Sequence, residues 1–229
     1  SGFLPSLIEL AEDDGDGLHT LYISPLKALA VDIARNLEQP IAEIGLDITC
    51  ETRTGDTPQK KRQRQRETPP RMLLTTPESL ALMLSYEDAP DIFRNLRRMI
   101  IDEIHALADN KRGDLLSLGL ARLKRIAPAV QFVGLSATVA FPDDLGRWLG
   151  PETTLLKGRT GARASISILT HDRRIPWSGH MAVHALPEVM AEIRKHNTTL
   201  VFVNTRAQAE IIFDKLWRLN DETLPIALH

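Results

Sequence analysis

Residues 99–105 read Met-Ile-Ile-Asp-Glu-Ile-His, a short apolar run that stops abruptly at two acids. A few apolar residues in unbroken succession are how a strand buried on both faces of a parallel sheet reads. The shape recurs. Leu21-Tyr22-Ile23, Met72-Leu73-Leu74, Phe132-Val133-Gly134-Leu135 and Leu200-Val201-Phe202-Val203 are each short and nearly continuously apolar. Between them lie helix-like stretches at 26–38, 77–86, 113–127, 141–149, 185–196 and 205–219. In 113–127 the apolar spacing runs through Leu115, Leu118, Leu123 and Ile126, and Trp148 and Trp217 are expected in cores. Strand and helix in alternation predict an α/β fold: a parallel sheet with helices on both faces.

The 229 residues are long for one average domain and short for two, at roughly 100–200 residues each. Hydrophobic residues at 43% and charged residues at 25% exclude disordered and coiled-coil classes. Lys and Arg number 28 against 30 Asp and Glu, so no global field draws the chain to polyanions. A nucleic-acid site must then rest on local charge or backbone donors. The single cysteine, Cys50, excludes a disulfide framework and a cysteine-rich zinc site, and fits a reducing compartment. No apolar run approaches the roughly 20 residues that cross a bilayer. The start, Ser1-Gly2-Phe3-Leu4-Pro5, lacks signal-peptide features. A cytoplasmic protein without a membrane partner is expected.

A seam is expected between about 151 and 180, where Gly150-Pro151, Gly158, Gly161, Pro176 and Gly179 cluster around one plausible strand at 164–169. Beyond it, 224–228 is a candidate strand. Residues 3–10 read as a helix already under way, and the chain stops on what should be a buried strand, so both ends read as cut.

Ligands of an α/β sheet bind beyond the carboxyl ends of its strands. The residues that follow each apolar run are Ser24-Pro25-Leu26-Lys27, Thr75-Thr76-Pro77-Glu78-Ser79, Asp102-Glu103-Ile104-His105, Ser136-Ala137-Thr138 and Asn204-Thr205-Arg206. A carboxylate at a buried strand tip is costly unless a cation or donors satisfy it. Asp102 answers that cost by holding magnesium, usually through water, on a nucleotide phosphate. Glu103 is placed to orient or deprotonate the attacking water. Two acids after a strand also serve as plain helix caps. His105, Ser136 and Thr138 each have ordinary structural readings, but on neighbouring strands the hydroxyls can bond the tetrad.

In sequence and in order, these five clusters resemble motifs Ia, Ib, II, III and IV of superfamily 2 helicases. The strings at 21–30, 75–86, 101–119 and 135–140 resemble the Lhr (large helicase-related) group, and 175–186 with 198–210 its bacterial ligase-associated DEXH-box branch. The resemblance spans essentially the whole chain. It implies a RecA-like first domain over 1–160 and the start of a second over 161–229, with ATP between them and single-stranded nucleic acid across the top. By the same resemblance Asp102 and Glu103 bind Mg-ATP and catalyse, while His105, Ser136 and Thr138 couple hydrolysis to strand movement. Ser24, Pro25, Lys27, Thr75, Thr76 and Glu78 grip the sugar-phosphate backbone, and Asn204, Thr205 and Arg206 add the second domain's contact. Hydroxyls, amide N–H groups and helix N-termini suit phosphates without reading sequence.

Three further features keep two readings each. Arg53-Thr54-Gly55-Asp56-Thr57 resembles the family's Thr-Gly-Asp loop, with Gly55 near a phosphate, or is a plain turn. Lys60-Lys61-Arg62-Gln63-Arg64-Gln65-Arg66 is a solvated helix face or a contact for flanking DNA. Trp177 stacks on a base or packs the domain junction.

No Gly-x-x-x-x-Gly-Lys-[Ser/Thr] phosphate loop occurs. Without its backbone donors and lysine, residues 1–229 alone are expected to bind ATP poorly and hydrolyse it negligibly. The sequence therefore predicts an ATP-dependent DNA helicase or translocase of the bacterial cytoplasm. A role in repair beside a nuclease or ligase comes only from the resemblance. A nucleic-acid-binding module without ATPase and an RNA-directed Ski2-like helicase are the alternatives.

Overall fold

The computed structural model describes residues 2–13, 15–137, 139, 141–158, 164–169 and 183–228. The chain divides into two compact units, Ser1–Gly158 and Arg159–His229. The first holds an all-parallel sheet of β1 (Thr20–Ile23), β2 (Cys50–Arg53), β3 (Met72–Thr75), β4 (Arg98–Ile101) and β5 (Gln131–Gly134), in the order β2-β3-β1-β4-β5. The expected α/β class is observed.

The period-two alternation of a strand sorts its side chains onto two faces. Leu21, Ile23, Leu73, Met99 and Ile101 join one core, while Tyr22, Met72, Leu74 and Ile100 join the other. The second core is covered by α1 (Leu4–Glu12) and α2 (Lys27–Ile44). A polar helix, α3 (Gln59–Glu67), lies between β2 and β3 in the chain. The first core is covered by α4 (Pro77–Leu84), α5 (Ala89–Phe93), α6 (His105–Ala108) and α7 (Lys111–Ile126), with side chains of α8 (Pro142–Leu149) packed on it.

Local chemistry sets several boundaries. Thr76 caps α4 by accepting from the Ser79 N–H, and Asn110 caps α7 by accepting from the Arg112 and Gly113 N–H groups. Pro5 falls in the first turn of α1, where its missing N–H costs nothing. α2 runs through Pro40, beyond the expected end at 38, and stops at Gly45, whose φ of 75° closes the helix. The carbonyl freed by Pro40 belongs to Asn36, an exposed residue that water can satisfy.

Two expectations about helix faces are corrected. The buried face of α7 is Gly113, Leu116, Gly119, Leu120 and Leu123, while Leu115 and Leu118 are exposed. Two glycines in the stripe let α7 approach its neighbours closely, and that rotates the contact face away from the leucines that spacing favours. Trp148 does pack against the first core, but Trp217 is 57% exposed and stacks on Phe213 at 5.8 Å between centroids.

The second unit contains a 3-10 turn (Val183–Ala185), α9 (Leu186–Ile193) and α10 (Arg206–Arg218), joined by a small core of Leu186, Met190 and Leu216. Its expected strands at 164–169, 200–203 and 224–228 are not formed. Leu200 is 76% and Phe202 87% exposed. An apolar run supplies the side chains of a strand but not a partner for its backbone, and none of these segments pairs among the described residues.

Candidate functional site

Between β3 and β4 the chain crosses from one side of β1 to the other, so the crevice beyond β1 and β4 is where such a sheet offers a ligand site. Asp102 stands there, its N–H donating to the Ile23 carbonyl at 2.9 Å. Tyr22 is 1% exposed, packs against Phe3 with the rings tilted at 36° and their centroids 5.1 Å apart, and donates its hydroxyl to Asp102 Oδ2 at 2.5 Å. Burial, then the hydrogen bond to Asp102, holds the phenol far above its ordinary pKa, so it remains a donor. Asp102 Oδ1 accepts the Glu103 N–H at 2.9 Å.

The helix-cap reading of the acids therefore does not hold. Residue Ile104 is the N-cap of α6 and provides no side-chain cap. Glu103 has φ of 47°, a left-handed conformation that costs a non-glycine residue on the order of 1–3 kcal/mol. The next N–H, of Ile104, pairs with the Leu135 carbonyl at 3.1 Å. His105 Nδ1 lies 2.6 Å from Ser136 Oγ and 3.4 Å from Glu103 Oε2. Asp102, Glu103, His105 and Ser136 thus form one cluster across the tips of β4 and β5. Thr138 lies outside the described residues.

The loops after β1, β2 and β3 stand beside it. Ser24 is buried and accepts the Leu26 N–H at 3.2 Å. Lys27 Nζ reaches both oxygens of Asp56, at 3.0 and 3.1 Å, tying the 24–27 loop to the Thr-Gly-Asp turn. That turn is closed by the Thr54 N–H donating to Thr57 Oγ1 at 2.9 Å, and by Arg62, which donates to the Thr57 carbonyl at 2.7 Å and the Gly55 carbonyl at 2.5 Å. Gly55 is not among the residues with positive φ, and an added Cβ would meet only the Lys27 side chain, so the turn itself does not demand glycine. Thr75 donates to the Arg53 carbonyl at 2.6 Å from a fully buried position.

Arg112 joins two of these loops. Its Nε donates to Glu78 Oε1 at 2.5 Å, and its second nitrogen donates to Glu78 Oε2 at 3.2 Å and the Pro25 carbonyl at 2.8 Å. Burial is the largest single influence on the Glu78 carboxyl and pushes it up, but the hydrogen bonds from Arg112, its own backbone N–H and Thr76, with the Arg112 charge, together hold the group below its ordinary value. Neither Tyr22 nor Arg112 was singled out from sequence. Tyr22 reads as one more buried strand residue, and Arg112 meets Glu78 only once the fold has formed.

The basic run on α3 is mostly spent internally. Lys61 and Arg64 pair with Glu51, Arg66 pairs with Asp88 and covers the Tyr86 ring at 4.2 Å, and Arg62 serves backbone carbonyls. Buried Arg53 donates to the Arg62 carbonyl at 2.9 Å and to the Tyr86 hydroxyl at 3.0 Å. In the second unit, Thr205 caps α10 through the Gln208 N–H, the Asn204 N–H donates to Gln208 Oε1 at 3.2 Å, and Arg206 is exposed at the first helical position. Trp177 lies outside the described residues, as does most of 175–186.

The family of DEAD/DEAH box helicases matches residues 2–145. The Lhr helicase/probable uracil glycosylase of Mycolicibacterium smegmatis is 36% identical over 241 residues, a match that covers 97% of this chain and 16% of that protein. The ATP-dependent helicase Lhr-Core of Methanothermobacter thermautotrophicus is 37% identical over 238 residues, covering 93% of this chain and 27% of that protein. The chain therefore spans only a small part of these relatives. Among solved structures, Mycobacterium smegmatis helicase Lhr bound to ssDNA and AMP-PNP superposes with a TM-score of 0.70 at 34% identity, covering 96% of this chain and 30% of that one. The DUF1998 helicase MrfA superposes at 0.77 with 28% identity, covering 96% and 34%. The parallel sheet is thus of the RecA-like helicase kind. With the acid pair at the tip of β4, the hydroxyl partner at the tip of β5 and a match running from residue 2 to residue 145, the chain belongs to the DEAD/DEAH box helicase family.

Proposed function

We propose that the protein is an ATP-dependent helicase or translocase that moves along single-stranded DNA. The observation that carries this is the placement of the acid pair and the grip loops on adjacent strand tips, β3, β1 and β4, of one sheet. A site built only to bind nucleic acid has no use for two carboxylates at a strand tip, and that favours the enzyme over a module without ATPase. DNA is favoured over RNA because the similar Lhr and MrfA structures are described as bound to ssDNA and to DNA.

The donor set suits magnesium. Each Asp102 oxygen has accepted one hydrogen bond and keeps a lone pair, and among the described residues no group of three His, Cys, Asp or Glu side chains is arranged to hold a metal ion by itself. One carboxylate contacted through water, with phosphates completing the shell, is the usual magnesium arrangement. Bound Mg-ATP supplies the phosphoryl group and neutralises the charge that develops on it. Tyr22 orients Asp102. Glu103, turned out of the helix direction by its backbone, orients or deprotonates the attacking water. His105, between Glu103 and Ser136, is placed to sense that carboxylate and pass its state to the tip of β5.

Ser24, Pro25, Lys27, Gly55, Thr75, Thr76 and Glu78 are read as shaping the backbone grip, and Asn204, Thr205, Arg206 and Trp177 as the separate contact expected of a second RecA-like domain over 161–229. The exposed Lys27–Asp56 pair is worth at most about 1 kcal/mol, so the lysine can exchange its carboxylate for a phosphate. No helix among the described residues is long and apolar enough to cross a membrane. We place the enzyme in the bacterial cytoplasm and in DNA repair beside a nuclease or ligase.

Residues 1–229 contain no lysine-bearing phosphate loop, and this stretch alone is expected to bind ATP weakly. Micromolar ATP affinity in a titration of the stretch would contradict that. The experiment for the function is ATP-driven strand displacement by the full-length protein on DNA and on RNA tracking strands. Displacement on DNA supports the reading, displacement only on RNA favours the RNA-directed alternative, and nucleic-acid binding without hydrolysis favours the module.

A further inference from the structure

We propose that Arg112 is a positioning residue that sets the spacing of the two grip loops beyond β1 and β3. The inference rests on the proposed function and names a residue outside the five strand-end clusters, one to which the resemblance over 101–119 assigns no role. Arg112 occupies the first turn of α7, whose seat is fixed twice. Asn110 accepts the Arg112 N–H at 2.9 Å, and Gly113 lies directly against the Leu107 carbonyl of α6. α6 itself begins at His105, the last residue of the acid tetrad. From this seat one guanidinium makes a forked contact to Glu78 on the first turn of α4 and a third hydrogen bond to the Pro25 carbonyl.

The three donors leave from one rigid plane, so the two loops cannot drift independently while all are made. A lysine in its place has a point charge and no fork. The side chains of the pair are 40% and 53% exposed, and exposed ion pairs contribute little to folding. The arrangement is better suited to fixing geometry than to holding the fold. Arg112 also follows the tetrad in the chain after one short helix, α6, so the spacing it sets is tied to the segment that carries Asp102 and Glu103. Its guanidinium is committed to Glu78 and Pro25, which distinguishes it from a cation that touches phosphate directly.

The test uses the full-length protein with a fluorescent single-stranded DNA oligonucleotide, reading binding by anisotropy and ATP hydrolysis over a range of DNA concentrations. For Arg112→Ala the DNA concentration giving half-maximal binding and stimulation rises about tenfold, while hydrolysis at saturating DNA falls less than about twofold. The slope of log affinity against log salt stays at the wild-type value, because no phosphate-bound cation has been lost. Arg112→Lys recovers less than half of the defect. Glu78→Gln shifts half-saturation in the same direction, and the double variant is no worse than Arg112→Ala, as expected for residues acting as a pair. Thermal melts that match the wild type confirm folded protein; if Arg112→Ala does not fold, Glu78→Gln and Arg112→Lys carry the test.

Unchanged half-saturation in these variants overturns the inference, as does additivity in the double variant. A salt slope reduced by about one overturns it in favour of direct phosphate contact. A wild-type protein that neither binds the oligonucleotide nor is stimulated by it overturns the proposed function and this inference with it.

Discussion

Gly113 gives the sharpest mutational prediction. A Cβ added there would lie 2.0 Å from the Leu107 carbonyl oxygen, 2.8 Å from its carbonyl carbon and 3.2 Å from Ala108 Cα. These are backbone atoms, so no side chain can swing aside. Ordinary Cβ contacts begin near 3.4 Å, and α6 and α7 must separate by more than about 1 Å to accommodate Gly113→Ala. Overpacking costs about 1–3 kcal/mol, and a clash with backbone belongs at the top of that range. Alanine returns about 1 kcal/mol of helix propensity, leaving a net loss of about 2 kcal/mol. Gly119, two turns along the same helix, is the control. There the added Cβ would meet only side-chain tips, Leu84 Cδ1 at 3.3 Å and Leu80 Cδ2 at 3.7 Å, which can yield. Gly119→Ala should therefore be neutral or stabilising by up to about 1 kcal/mol. Urea denaturation followed by circular dichroism separates the two, with Gly113→Ala shifting the midpoint down by about 1 M. If Gly113→Ala proves as stable as Gly119→Ala, the close seating of α7 on α6 is wrong.

Other perturbations test other parts of the molecule. Tyr22→Phe removes the hydroxyl from Asp102 without changing the ring that packs on Phe3, and should raise several-fold the magnesium concentration that half-saturates ATP hydrolysis. A magnesium titration that is indistinguishable from wild type would show that the hydrogen bond does not orient the acid. His19 is buried against Thr20 and Glu9, and desolvation, then the Arg71 charge, holds its folded pKa below 6.5. Below pH 6.5 the unfolded chain takes up a proton that the folded one resists, so stability should decline as pH falls from there through the folded pKa. His19→Asn should flatten that part of the stability–pH curve. For Cys50, burial and then the Glu38 and Glu51 charges push the thiol up to about 11. Its alkylation at pH 8 should run on the order of a hundredfold slower than that of an unperturbed thiol, and reaction at the free-thiol rate would contradict its placement on β2.

What was legible in the sequence follows how each segment is stabilised. β1, β3 and β4 are buried along their whole length, and burial on both faces is what a continuous apolar run records. The run at 200–203 has the same composition but no ladder, because pairing is a property of the neighbours and not of the strand. α3 escaped a periodicity reading because its one buried residue is Gln65 and its charges are matched by Glu51 and Asp88, distant in sequence. Asp102, Glu103, His105 and Ser136 could be named because strand tips in a parallel sheet share one edge. The Tyr22–Asp102 bond could not be foreseen: it needs β1 beside β4, an order that alternation alone does not specify. The bond from Arg112 to Pro25 likewise needs α7 to cross above the β1 loop. The left-handed backbone at Glu103 gives no sequence signal at all, since glutamate is disfavoured there.

The most direct measurement is single-turnover ATP hydrolysis by the full-length protein, with magnesium and saturating single-stranded DNA, compared with Glu103→Gln. The prediction is DNA-stimulated hydrolysis in the wild type, and a variant at least about a hundredfold slower that still binds ATP with affinity within a few-fold of the wild type. Hydrolysis by Glu103→Gln at the wild-type rate would contradict the assignment of the acid pair at the tip of β4 as the catalytic centre.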